Sequence, residues 1–167
     1  ASKGWIGDEL PSIEALENPR SNLASEVISS DQVVLGKYFI QNRTNVHYYE
    51  LSPSLINSLI ATEDIRFEEH SGVDLRGLLR VLVKTVFARQ ESAGGGSTIT
   101  QQLAKNLFHE HPDNKWERII QKFQEWIIAV ELERRYTKNE IMAMYLNTVE
   151  FGSNSYGIKS AARTFFN

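Results

Sequence analysis

From Leu51 onward, apolar residues recur at intervals of three and four, the spacing that gathers them on one face of an α-helix. Leu55, Ile56, Leu59, Ile60, Glu63 and Phe67 follow Ser52-Pro53, a cap and a proline suited to a first helical turn, and predict one helix. Leu75, Leu78, Leu79, Leu82 and Val86 predict a second, capped by Asp74. Thr98 and Gln101 fit a capping box that opens a third, and Lys115 to Arg135 reads as a long fourth helix after a polar stretch around Pro112. Thr137 and Glu140 form another capping box before Ile141, Met144 and Tyr145, and a last helix starts near Gly157 and ends with Phe165 and Phe166. Upstream the pattern differs. Val27, Ile28, Val33, Val34, Tyr38, Ile40, Val46 and Tyr48 alternate roughly between turn residues Ser29-Ser30-Asp31 and Gln41-Asn42-Arg43, which predicts a small hairpin region. The expected fold is therefore mainly α, with short N-terminal strands within residues 1–50 and a helical domain over 51–167.

Composition narrows the function. A chain of 167 residues fits one domain with a core of its own. Its 18 basic and 21 acidic residues contain no basic block, so no nucleic-acid partner is expected. The absence of cysteine removes disulfide frameworks, thiolate metal sites and cysteine nucleophiles. No run approaches the roughly 20 apolar residues that span a bilayer. Ala1 to Gly7, with an isolated Trp5, is compatible with the stub of a junction to an anchored parent.

Two carboxylates break the apolar pattern. Glu63 falls on the stripe where a leucine or isoleucine is expected, and a carboxylate drawn into such surroundings resists ionisation, which suits a general base. The alternative is an ion pair with Arg66 at a helix edge. Glu125 shares a polar strip with Arg118, Gln121 and Lys122, directly before Trp126-Ile127-Ile128-Ala129-Val130, apolar on every side and so expected to be buried. Such a strip commonly lines a cleft. Its alternative is a solvated face with a Lys122 and Glu125 neighbour pair.

A third feature is the run Gly95-Gly96-Ser97-Thr98, which delivers a helix N-terminus where free N–H groups and the helix dipole attract an anion, a pyrophosphate or a carboxylate. Gln101, Gln102, Lys105 and Asn106 follow at helical spacing. His70, before Ser71-Gly72, favours a structural role in that turn over catalysis. His109 and His111 lack a third ligand at convincing spacing, so no zinc site is read, and no Gly-x-Ser-x-Gly elbow supports a serine hydrolase.

Together these segments resemble the family 51 glycosyltransferase domain of class A penicillin-binding proteins and monofunctional peptidoglycan glycosyltransferases. Five motifs occur in order: Glu63 to Gly72, Gly95 to Asn106, Gln121-Lys122-Phe123-Gln124-Glu125, Lys138 to Asn147, and Ala162-Arg163-Thr164-Phe165-Phe166. The resemblance implies a lysozyme-like, mainly α fold and an enzyme on the extracytoplasmic face of the bacterial cytoplasmic membrane, anchored by an N-terminal helix. It implies polymerisation of lipid II into β-1,4-linked glycan with inversion and release of undecaprenyl diphosphate, in company with other cell-wall synthesis proteins. Glu63 would deprotonate the acceptor hydroxyl and Glu125 would assist at the diphosphate. Lys105, Lys122 and a divalent cation, Mg or Mn, would neutralise charge there. Asp64, Phe67, His70, Ser97, Thr98, Gln101, Gln102, Asn106, Arg118, Gln121 and Asn147 are the expected substrate-binding residues.

Three departures from the family pattern stand out. Gln121 replaces the usual arginine of the third motif, a lost charge for which Arg118, one turn earlier, is placed to compensate. Ile65 and Ala143 replace a common arginine and a common glutamate. The family domain also continues beyond Asn167. Two rival readings remain: a lysozyme-like lytic enzyme, which needs no diphosphate site, and a catalytically silent module that binds a cell-wall precursor or partner. Apolar residues around Phe87 and Phe108 are candidates for a surface that dips into the membrane.

Overall fold

The computed structural model describes residues 25–31, 34–38, 45–87, 95–108, 114–153 and 155–166. Strands β1 (Ser25–Ile28) and β2 (Val34–Tyr38) pair antiparallel, Ser25 opposite Tyr38 and Ile28 opposite Val34, with an irregular step between Val27 and Ile28. Apart from an isolated bridge between Glu150 and Tyr156, the other elements among the described residues are helical: α1 (Pro53–Glu63), α2 (Leu75–Phe87), α3 (Ile99–Phe108), α4 (Lys115–Arg135), α5 (Lys138–Thr148) and α6 (Ile158–Phe166), with single 3-10 turns at Tyr48–Glu50 and Phe67–Glu69. The fold is mainly α, consistent with a lysozyme-like domain.

The helix starts follow the local chemistry of the sequence. Ser52 Oγ accepts from Leu55 N at 3.2 Å with Pro53 in the first turn of α1. Asp74 Oδ1 accepts from Arg76 N at 3.1 Å before α2. Both capping boxes close: Thr98 N donates to Gln101 Oε1 while Gln101 N donates to Thr98 Oγ1, and Thr137 N donates to Glu140 Oε2 while Glu140 N donates to Thr137 Oγ1. In each pair two orphan N–H groups of a helix end are satisfied reciprocally.

Contacts group the chain into two compact units, residues 48–145 and residues 1–47 with 146–167. In the first, Phe67, Ile99, Leu103, Ala104, Ala129, Leu132, Ile141 and Met142 form the core, with α3 packed on α4. Gly72 permits the close approach behind the first motif. It sits at a φ of +92°, and a Cβ there would lie 2.6 Å from Ala129 O, so only glycine lets this turn lie against the α4 backbone. In the second unit, Asn147 is tied to the Val46 backbone: Val46 N donates to its Oδ1 and its Nδ2 donates to Val46 O, both at 2.9 Å. The amide of Asn147, a residue expected at the substrate, thus closes a backbone pair.

Two expectations from periodicity fail. Glu63 is exposed, and the side chain that enters the protein at the end of α1 is Asp64, followed by Phe67 at 1% exposure. The chain leaves the helix at Asp64, whose φ is −155°, so the three-four spacing no longer describes which residues point inward. In α4 the buried stripe is Gln121, Glu125, Ile128, Ala129 and Leu132, while Ile119, Ile120, Phe123, Ile127 and Val130 are exposed. The segment after Glu125 is thus apolar on both sides and buried on one. Val33 and Gln41-Asn42-Arg43 of the strand region, Ala1 to Gly7, His109 and His111 lie outside the described residues, as do the side chains of Phe87 and Phe108.

Candidate active site

The Gly95-Gly96-Ser97-Thr98 run does deliver the start of α3, but the anion found there is the protein's own. Asp64 Oδ2 accepts from Ile99 N at 3.1 Å, and the same carboxylate receives His70 Nε2 at 3.0 and 3.1 Å. Both side chains are 5% exposed. Thr98 Oγ1 donates to Gly72 O at 2.6 Å, and Thr98 and Gln101 are 2% and 0% exposed. These four residues were expected to meet substrate. Their side chains are buried and join the first motif to the second, because a helix N-terminus in the interior needs an acceptor that solvent cannot supply, and Asp64 and Thr98 also line the cleft beside Glu63. Phe67 is likewise core: it meets His70 edge-on at 6.3 Å between ring centroids and lies 4.4 Å from Lys138 Nζ.

Lys138 is a residue that sequence reasoning left without a role. Its ammonium donates to His70 O at 2.7 Å and to Glu133 Oε1 at 2.8 Å, and Glu133 also accepts from Thr100 Oγ1 at 2.6 Å. One half-buried cation thereby fastens the first motif to α3, α4 and α5. The only signal available was its position at the head of the fourth motif. Arg66, the alternative partner for Glu63, pairs elsewhere, with Glu69 and Asp74 at 2.9 Å each. The hydrogen bond to Glu69 first, and then the charge of Asp74, raise its guanidinium pKa.

Glu63 stands at the C-terminal end of α1 with its Oε2 accepting from Gln102 Nε2 at 2.9 Å. The other end of that amide, Oε1, accepts from Tyr145 Oη at 3.0 Å. Burial pushes the Tyr145 phenol up, and the Glu63 charge adds to the effect. Glu63 borders a small cleft with Asp64, Asp74, Arg80 and the Gly95 to Thr98 run.

Ser97 is common to this cleft and to the second carboxylate. Its Oγ accepts from Lys122 Nζ at 3.0 Å, and Lys122 also donates to Glu125 Oε2 at 2.7 Å. Glu125 is 5% exposed, so the Lys122 neighbour pair is real but is not part of a solvated face. Along α4, Arg118, Ile119, Lys122, Phe123 and Trp126 line an apolar depression with two cationic side chains at its border. Gln121, expected at a diphosphate, is 9% exposed and belongs to the inward stripe of α4, whereas Arg118 is exposed. Lys105 and Asn106 are exposed on α3. The structure thus gives two sets of contacts, Glu63 with Gln102 and Lys122 with Ser97 and Glu125, and Glu63 and Ser97 border the same cleft.

Among the described residues, no group of three or more histidine, aspartate or glutamate side chains is arranged to hold a metal ion. Nor is any described helix long and apolar enough to cross a membrane.

Residues 31–167 match the family model described as Transglycosylase. The chain is 35% identical over 162 residues to penicillin-binding protein 1A of Escherichia coli K12, covering 97% of this chain and 18% of that protein. It is 37% identical over 144 residues to penicillin-binding protein 1F of Bacillus subtilis 168, covering 86% and 20%. Identity to penicillin-binding protein 1A of Aquifex aeolicus VF5 is 37% over 162 residues, covering 96% and 22%. The chain therefore spans about a fifth of the length of these relatives. On the family match and these identities, the chain belongs to the Transglycosylase family, the family 51 glycosyltransferase domain of class A penicillin-binding proteins.

Proposed function

We propose that this domain polymerises lipid II into β-1,4-linked glycan by an inverting transfer, with Glu63 as the general base. The observation that carries the reading is the exposed Glu63 carboxylate, held by an amide at a cleft that Ser97, bonded to Lys122, also lines. In the step, the acceptor 4-hydroxyl oxygen forms a bond to the anomeric carbon of the donor. Its proton passes to Glu63, and the bond from that carbon to the diphosphate oxygen breaks, so undecaprenyl diphosphate leaves with the electron pair. No enzyme nucleophile is needed.

Lys122 meets charge building on the leaving diphosphate, a role supported by its bond to Ser97 at the cleft, with Lys105 and Arg118 exposed on α3 and α4. Glu125 assists by holding the Lys122 ammonium at Ser97. The apolar depression bordered by Arg118 and Lys122 suits a ligand that joins a diphosphate to a hydrocarbon chain. A Mg or Mn ion would accompany the diphosphate and add its charge to that of Lys122. Action at the extracytoplasmic membrane surface, on lipid II and the growing strand, with other cell-wall synthesis proteins nearby, completes the proposal.

The test is incubation of the protein, and of Glu63→Gln, with labelled lipid II in detergent and magnesium, followed by gel separation. Polymer from the parent and a loss on the order of 10²-fold or more in the variant is the expected result. Shortening of preformed glycan would point to the lytic reading. Lipid II binding without polymer would point to a silent module.

A further inference from the structure

We infer that Tyr145 is a positioning residue for the transfer: with Gln102 it forms a bracket across α3 and α5 that sets the orientation of the Glu63 carboxylate. The inference rests on the reading of Glu63 as the base and adds a role for a residue that no motif argument assigned.

A glutamine amide has a donor end and an acceptor end, and near a carboxylate only the donor end is tolerated. Left to itself, the amide rotates. Tyr145 removes that freedom, because its hydroxyl donates to Oε1 at 3.0 Å and so obliges Nε2 to face Glu63, which it meets at 2.9 Å. The three groups differ in mobility in the order that such a bracket needs. Tyr145 is 5% exposed within α5, Gln102 is half-buried on α3, and Glu63 is exposed where α1 ends. Orientation is thus handed from the packed interior to a side chain that would otherwise sample several rotamers.

The chemistry of Tyr145 supports the same view. A phenylalanine would fill the same space without carrying a hydroxyl into the interior, and a buried hydroxyl is costly unless it is bonded. Here the hydroxyl is bonded to the amide that meets Glu63. A base must hold its lone pair on the acceptor proton, and a displacement of about 1 Å at a reacting group can cost up to about 10²-fold in rate.

The experiment compares Tyr145→Phe, Gln102→Met and the double variant with the parent in lipid II polymerisation. Each single change is expected to lower kcat by about 5- to 30-fold with KM within about two-fold, since orientation and not binding is lost. The double variant should match the more impaired single, because both act through one bracket. Effects that multiply, or a Tyr145→Phe protein with parental kcat, would overturn the inference. Gln102 is half-buried, so Gln102→Met decides the outcome should Tyr145→Phe fail to fold; parental kcat there is equally fatal. A substrate-free readout separates this from the functional reading: the Gln102 side-chain amide should exchange slowly by NMR in the parent and faster in Tyr145→Phe. Unchanged exchange overturns the bracket whatever lipid II does. A parent without polymer that still shows the exchange difference overturns only the assignment of the reaction.

Discussion

Glu63 and Glu125 are both glutamates on helices, and their surroundings are opposite. Glu63 lies exposed at a helix end and is held by a neutral amide, while Glu125 lies in the buried stripe of α4 and is held by an ammonium. The first arrangement leaves a carboxylate able to take up a proton without disturbing the fold. The second ties its carboxylate into the packing, because Lys122 is bonded to it and to Ser97 together. One carboxylate is therefore suited to chemistry and the other to holding a cation in place.

This contrast is breakable. Glu63→Gln should remove on the order of 10²-fold or more of the activity and leave the melting temperature unchanged, since an exposed side chain with one neutral partner contributes little to stability. A melting temperature that falls with activity would erase the distinction from Glu125. Lys122→Ala should lower both, with a stability loss of about 1–3 kcal/mol in denaturant unfolding, because it strands a buried carboxylate whose partner was itself part-exposed. Parental stability in that variant would show that Glu125 finds solvent.

Glu140 provides a carboxylate with a purely structural role against which both can be judged. The Thr137 backbone N–H, and then its hydroxyl, hold the Glu140 pKa below its ordinary value. Its folded-state pKa is depressed, so the cap stabilises above the unfolded carboxyl range and is lost as pH falls through the folded value. Glu140→Ala should therefore cost about 1 kcal/mol near pH 7 and less with increasing acidity, measured by unfolding at several pH values. The smallest effect concerns Tyr145. Its phenol is raised, so it should ionise after the exposed tyrosines in an ultraviolet titration, with stability held below the unfolded phenol range and lost as pH rises through the folded one. Removing Glu63 by substitution should narrow that gap without closing it, because burial is the larger cause.

Much of the helical framework was legible in the chain. Caps and boxes at Ser52, Asp74, Thr98 and Thr137 are local arrangements between a side chain and the next turn, and each appears where the residues place it. The candidate site was legible as a set of motifs but not as an arrangement. Gln101 and Gln102 are adjacent and chemically identical, yet one is sealed in the core and the other reaches Glu63. Tyr145 reads as an apolar position in a helix, and only its neighbour across the fold reveals what the hydroxyl does.

By itself, then, the sequence determined the mainly α class, the helix starts and the family, because these depend on periodicity, on contacts within one turn and on ordered motifs. Tertiary structure alone decided which carboxylate is exposed, which anion occupies the start of α3 and which amide faces the base. The physical reason is that burial and hydrogen-bond partnership are properties of a side chain and everything that surrounds it. Asp64 and Ile99, or Gln102 and Tyr145, lie far apart along the chain and meet only when the helices pack.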